Sequence, residues 1–394
     1  MKKVRIHQDW QFWKAGRETK KQTVQLPHDA MLLEERDPKM ENGSGSGYYP
    51  GGKYYYSKKF YGKEEYAERS VILEFEGIYM NSSIFLNGEK VGGWIYGYTN
   101  FFVDITGKIR IGEENELLVE ADNSRTPNSR WYSGSGIYRP VNLWTGGRVH
   151  IKPQGLLVKT VSLHPGIVQI HTEYEAGAES EEENITVEYT VYDGEKELVT
   201  AKGRTVEVEI PDALLWSAET PHLYTVKAVL KVKGIAVDEA KEQFGIRTLA
   251  WSPEKGLQVN GETVKLRGGC IHHDNGILGA CTYDKAEYRK IRKLKEFGFN
   301  AIRYSHYPAG KNLLDVCDRL GMYVMDESFD QWRRPNTKYD YSVYFDEECE
   351  KDIAALALKD YNHPCVIMYC IGNEIMDTGR SYGAEIARRL CRIL

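Results

Sequence analysis

Ionisable and amide side chains recur at four places in the last third of the chain. These are His272, His273 and Asp274; Arg303 and His306; Asp326 and Glu327; and Asn373 with Glu374. Each group closes or follows a short apolar run. Glu374 comes after the apolar stretch Val366 to Ile371, so it is expected at a partly dry position. Desolvation there raises a carboxyl pKa and keeps the group protonated, which suits a general acid donating to a leaving oxygen. Asn373 beside it can hydrogen-bond a hydroxyl without adding charge. One such residue at a strand end is commonly a satisfied structural group. Four in succession point to an active site.

A metal centre is the rival explanation for the same residues. His272 and His273 are adjacent, and neighbours in an extended segment face opposite ways, so the pair cannot grip one ion. No protein-bound metal is expected. Serine nucleophile chemistry also lacks support. The Gly-Ser-Gly stretches at 43–47 and 134–136 lie far from any strand-to-helix elbow.

The elements that must hold these residues alternate in period. After Trp251, the run Val264 to Arg267 reads as a strand and Asp284 to Phe297 as a helix. Asp284 is its expected cap, with Glu287 three residues on and an apolar face of Ile291, Leu294 and Phe297. Ala301 to Arg303 is the next strand. A helix carrying Leu313, Cys317 and Leu320 follows and stops at Gly321. Tyr323 to Met325 (strand), Glu350 to Tyr361 (helix) and Val366 to Tyr369 (strand) continue the pattern. Alternating strands and helices imply a parallel sheet with right-handed crossovers. The spacing suits a (β/α)₈ TIM barrel, whose chemistry collects where strands end. Residues 251–394 are therefore expected to form its first half, the rest lying beyond Leu394. A doubly wound sheet competes, but Gly268-Gly269-Cys270-Ile271-His272 does not resemble a phosphate-binding turn.

Upstream, the period is that of strands. Residues 1–150 carry short runs such as Val71 to Glu76 and Ile84 to Leu86, with the hairpin dipeptide Asn87-Gly88. Their turn spacing favours a jelly-roll β-sandwich. Glu41 to Lys53, rich in Gly and Ser, reads as a long mobile loop. Residues 151–250 alternate over Ile185 to Val191 and Tyr224 to Val232, as in an immunoglobulin-like sandwich acting as a spacer.

A chain of 394 residues with net charge −5 offers nothing to nucleic acid or an anionic membrane. No run approaches the roughly 18 apolar residues of a membrane span. The start, Met1 to Trp10, lacks the apolar core of a signal peptide. All 7 cysteines lie between Cys270 and Cys391 without paired metal spacing. A reduced, cytoplasmic protein is expected, and a homo-oligomer. The 27 tyrosines suit stacking on sugar rings, although strand propensity favours the same residue.

Gly298-Phe299-Asn300-Ala301-Ile302-Arg303-Tyr304-Ser305-His306-Tyr307-Pro308 resembles the first signature of family 2 glycoside hydrolases. His363 to Glu374, ending Ile371-Gly372-Asn373-Glu374, resembles their acid/base signature. Phe244 to Thr248 is similar to the family's join between immunoglobulin-like domain and barrel. Ser129 to Arg139 is similar to its N-terminal galactose-binding-like domain. The resemblance implies a retaining hydrolase of terminal β-linked sugars, most like β-galactosidases. Glu374 would be the acid/base and Asn373 would contact the 2-hydroxyl. His272, Arg303, His306 and Trp332 would line or brace the sugar pocket. The nucleophilic glutamate would lie beyond Leu394, so residues 1–394 alone are expected to be inactive.

Two departures bear on that reading. Several β-galactosidases hold magnesium through a Glu and a His after the third strand. Here Asp326-Glu327-Ser328-Phe329-Asp330-Gln331-Trp332 stands instead, and no cofactor is expected. Members often set an acidic residue where this chain has Arg130, so that sugar contact is not carried over. A β-glucuronidase or β-mannosidase is the alternative within the family. A non-catalytic carbohydrate-binding protein is the alternative outside it.

Overall fold

The computed structural model describes residues 1–176 and 184–394. Two antiparallel sheets built from residues 2–146 face each other. One runs in the order Lys2–Arg5, Val141–Gly146, Ser70–Phe75, Phe101–Asp104. The other runs Gln22–Val24, Trp10–Lys14, Gly52–Tyr61, Glu114–Asn123, Ser83–Leu86, Glu89–Gly92. In Glu114–Asn123 every second residue from Asn115 onward is buried, the period that gives a strand one inward face. Leu117, Val119 and Ala121 thereby join Trp10, Tyr54, Leu73 and Phe75 in one core. Asn87 and Gly88 take φ of +52° and +85° in the turn between Ser83–Leu86 and Glu89–Gly92. The segment read as a long loop contains a 3₁₀ turn, Gly43–Ser46, before it enters Gly52–Tyr61.

A second sandwich pairs a three-stranded sheet (His150–Leu163, Gly166–Glu175, Thr205–Glu209) with a four-stranded one. The latter runs Lys196–Lys202, Ile185–Asp193, Tyr224–Val232, Ile235–Phe244. Val168, Ile170, Val187, Tyr189, Val226 and Leu230 form its own core. This immunoglobulin-like unit is fastened to the C-terminal unit by Arg247, which donates to the carbonyls of Pro364 and Val366 at 2.5 and 2.6 Å.

The remainder is a parallel sheet of β1 (Gly268–His272), β2 (Ala301–Ser305), β3 (Tyr323–Glu327) and β4 (Val366–Cys370), in that order. Its helices are α1 (Asp284–Glu296), α2 (Lys311–Leu320), α3 (Phe345–Asp360) and α4 (Gly383–Cys391). Four consecutive βα units of a (β/α)₈ barrel result. In α2 one face buries Leu313, Leu314, Val316 and Cys317, and Gly321 ends it at φ +73°.

Three local expectations shift. The first barrel strand starts at Gly268, not Val264, because Val264 to Arg267 is the exit from an antiparallel hairpin over residues 249–263. A Cβ on Gly268 would lie 2.4 Å from the Ala301 carbonyl oxygen, so the close strand approach requires glycine. Asp284 does not cap α1. Tyr283 holds the cap position, and Asp284 instead pairs with Arg5 at 2.9 Å and accepts from Asn312 at 3.2 Å. The third helix begins at Phe345, ahead of the expected Glu350.

Tyrosines build the joint between the N-terminal sandwich and the barrel. Tyr98 stacks on Tyr307 with ring centroids 3.8 Å apart, and Tyr96 donates to the Ser328 carbonyl at 2.7 Å. Asp352 of α3 accepts from Trp94 Nε1 and Thr99 Oγ1, both at 2.6 Å, and from the Tyr341 hydroxyl. Much of the tyrosine excess is therefore packing rather than an exposed sugar platform. Among the described residues no helix is long and apolar enough to cross a membrane, and all seven thiols are free.

Candidate active site

Parallel strands present their C-terminal ends on one side, and four polar groups meet there. His272 closes β1, Arg303 lies within β2 with His306 just after it, and Glu327 closes β3. Asn373 and Glu374 follow β4. Glu327 is fully buried. Arg303 Nε donates to its Oε2 at 2.6 Å, with Nη2 in ion-pair contact with the same oxygen at 2.5 Å, and His306 Nδ1 shares a hydrogen bond with its Oε1 at 2.7 Å. Both oxygens of this buried carboxyl are thereby paired, which a charged group out of water requires. Arg303 Nη2 also donates to Asn373 Oδ1 at 3.1 Å, and Asn373 Nδ2 donates to Asp330 Oδ1 at 2.8 Å. The ends of β2, β3 and β4 are thereby tied into one polar network.

The N-terminal sandwich completes it. Arg130 forks onto buried Asp330, with Nε to Oδ2 at 3.0 Å and Nη2 to Oδ1 at 2.6 Å. Its remaining Nη1 donates to Glu374 Oε2 at 2.8 Å. Glu374 stands at φ +48°, and its side chain is 68% exposed. The expected dry setting with a raised pKa is thus corrected. Water reaches this carboxyl, and the Arg130 hydrogen bond holds it below the usual glutamate value. Gly372 allows the turn that delivers it, since a Cβ there would meet Ile375 at 2.4 Å.

Trp131, next to Arg130, gives the site an aromatic wall. Its ring centroid lies 4.8 Å from that of His272 and 5.1 Å from that of His306. Burial, then the neighbouring His306, lowers the His272 pKa, so a neutral imidazole that both donates and accepts faces the site. His273 turns the other way, into the domain joint, where its Nε2 meets the Ser133 carbonyl at 3.1 Å and burial pushes its pKa down to about 3. Asp274 lines an outer groove with Arg5 and Tyr283. Asp326 is spent on the Ala309 amide at 2.9 Å and on Lys359 at 3.3 Å. Trp332, expected at the sugar, is only 2% exposed and donates its indole N–H to the Ile371 carbonyl at 2.8 Å. It braces the β4 end from behind and offers no open ring face.

Three models of one family match the chain in succession. They are described as glycosyl hydrolase 2 galactose-binding domain-like (residues 28–152), glycosyl hydrolases family 2 (149–247), and glycosyl hydrolases family 2, TIM barrel domain (253–391). The chain belongs to glycosyl hydrolase family 2. As a family 2 member it is 38% identical to beta-galactosidase BoGH2A of Bacteroides ovatus, over 90% of this chain and 43% of that protein. A crystal structure of a family 2 member from Bacteroides cellulosilyticus superposes with a TM-score of 0.92 at 35% identity, over 100% of this chain and 54% of that one. An FMN-binding beta-glucuronidase from Facaelibacterium prausnitzii L2-6 matches at 26% identity and a TM-score of 0.84, over 100% of this chain and 61% of that one. The chain spans between 43% and 61% of the length of these relatives.

Reasoning from sequence missed Trp131 and Asp330, which the structure brings to the candidate site, and saw Arg130 only as a departure. Asp330 carried a signal, since it sits three residues past Glu327 at a barrel strand end. Arg130 carried none, because its partner Glu374 is 244 positions away.

Proposed function

We propose that this chain supplies the acid/base side of a retaining exo-β-glycosidase, with terminal β-galactosides as substrates and Glu374 as the acid/base. One observation carries the reading. Of the three carboxylates joined in the network, Glu327 and Asp330 are buried and each locked by an arginine, while Glu374 alone reaches solvent. A proton donor must meet the leaving oxygen, and Glu374 is placed to do so. Protonated, it gives its proton to the glycosidic oxygen as the bond to the anomeric carbon breaks. As a carboxylate, it then takes a proton from the water that releases the sugar. Retention requires a second carboxylate about 5 to 5.5 Å away. Glu327 and Asp330 are occupied by their arginines, so we place the nucleophile outside these 394 residues.

The surrounding residues then orient the sugar. Asn373 has one N–H and one lone pair left after its bonds to Asp330 and Arg303, enough to hold a hydroxyl. His272 and His306 line the pocket, with Trp131 as its aromatic wall. A β-glucuronide is the second reading, favoured by the guanidinium of Arg130 at the mouth, which also suits a sugar carboxylate. Nitrophenyl β-galactoside, β-glucuronide and β-mannoside, assayed on the whole protein with Glu374→Gln as control, test this. The highest kcat/KM is expected on the galactoside. A preference for the glucuronide selects the second reading, and sugar binding without turnover of any substrate makes the protein a binder.

A further inference from the structure

Arg130 belongs to the N-terminal sandwich, whereas every other member of the network belongs to the barrel. Two of its donors are fixed on Asp330, which is 2% exposed, so the guanidinium is anchored before Glu374 is considered. Its Cζ also lies over the Trp131 ring, 5.3 Å from the centroid. The remaining Nη1 therefore points from a fixed base. Glu374 has the opposite character, being exposed and on a positive-φ backbone. Among the described residues no other side chain hydrogen-bonds it.

We propose that Arg130 is a positioning residue for the acid step: anchored on Asp330 across the domain joint, it sets where the Glu374 carboxyl rests. This rests on the glycosidase reading of Glu374. The charged and titratable groups facing Glu374 are Arg130 from the sandwich, Arg303 from β2 and His306 just after it. The latter two already serve Glu327, and Asp330 acts only through Arg130. Arg130 is thus the group whose removal changes both the place and the proton affinity of Glu374. The acid also has to leave Nη1, or share it, to meet a leaving oxygen.

The test is the titration of Glu374 itself, followed by carboxyl carbon-13 NMR of protein labelled at glutamate. Glu374→Gln assigns the resonance. In Arg130→Met the midpoint is expected to move up, and in Arg130→Lys, which keeps the charge but not the fork, to move up less. Arg130→Lys also serves if the methionine variant folds poorly. In the whole protein the alkaline limb of kcat/KM should move to higher pH in the same order, with kcat falling roughly tenfold for loss of one charged hydrogen bond and KM little changed. An unchanged Glu374 midpoint in a folded variant overturns the proposal whatever the activity. A raised midpoint in a protein that hydrolyses no glycoside keeps the Arg130 contact and discards the glycosidase reading.

Discussion

Trp94 of the N-terminal sandwich donates its indole N–H to Asp352 of α3 at 2.6 Å, joining two domains through a buried carboxyl group. Thr99 and Tyr341 donate to the same group. Burial outweighs these three donors and raises the Asp352 pKa to about 6, from 3.8.

That shift makes the joint sensitive to pH. The folded state binds the Asp352 proton more tightly than the unfolded state. Its stabilising share is complete below about pH 3.8 and is lost as pH rises through about 6. The loss is on the order of 3 kcal/mol. Urea unfolding of the wild type should show it between pH 4 and 6, relative to Asp352→Asn. A level difference between the two proteins across that window would show that burial does not govern this group.

Glu374→Gln in the whole protein should depend on the leaving group. A glutamine cannot donate a proton, so turnover of lactose should fall by about 10²- to 10⁴-fold. A dinitrophenyl galactoside hardly needs the proton and should lose far less. Equal losses on both substrates would remove Glu374 from the general-acid role.

Glu327→Ala should destabilise the protein by about 3 kcal/mol, because it leaves Arg303 and His306 facing a vacated buried site. Glu327→Gln keeps an acceptor and should cost less. Thermal unfolding of the two variants separates them, and a loss below about 1 kcal/mol in the alanine variant would place this pair with weak surface salt bridges.

Gly372→Ala should displace Glu374. The added methyl would lie 2.4 Å from Ile375 Cγ1 and 2.9 Å from Trp332 Nε1. A stability cost of about 1 to 3 kcal/mol is expected, with the Glu374 titration moving as the Arg130 contact loosens. A variant with wild-type melting and wild-type titration would mean that the turn tolerates a side chain.

The barrel site was largely legible because strands end where apolar runs end, and a parallel sheet gathers those ends. That logic found Arg303, His306, Asn373 and Glu374 at one mouth. It failed for Trp332, whose indole reads the same whether it faces a ligand or fills a core. It also failed for the environment of Glu374. Apolar neighbours in sequence suggested dryness, but exposure is decided by the turn at Gly372 and by the groups that stand opposite. The start of β1 was misplaced because glycine reads as a turn, although at Gly268 it permits strand contact. Arg130 belongs to another folding unit, and no local pattern announces a partner so distant.

Arg130 and Trp131 are carried by the sandwich and Glu374 by the barrel, so the candidate pocket is divided between two folding units. A recombination event that paired this barrel with a different sandwich would keep Glu374 and exchange its electrostatic companion. A lineage could retune its working pH in this way without altering a single barrel codon.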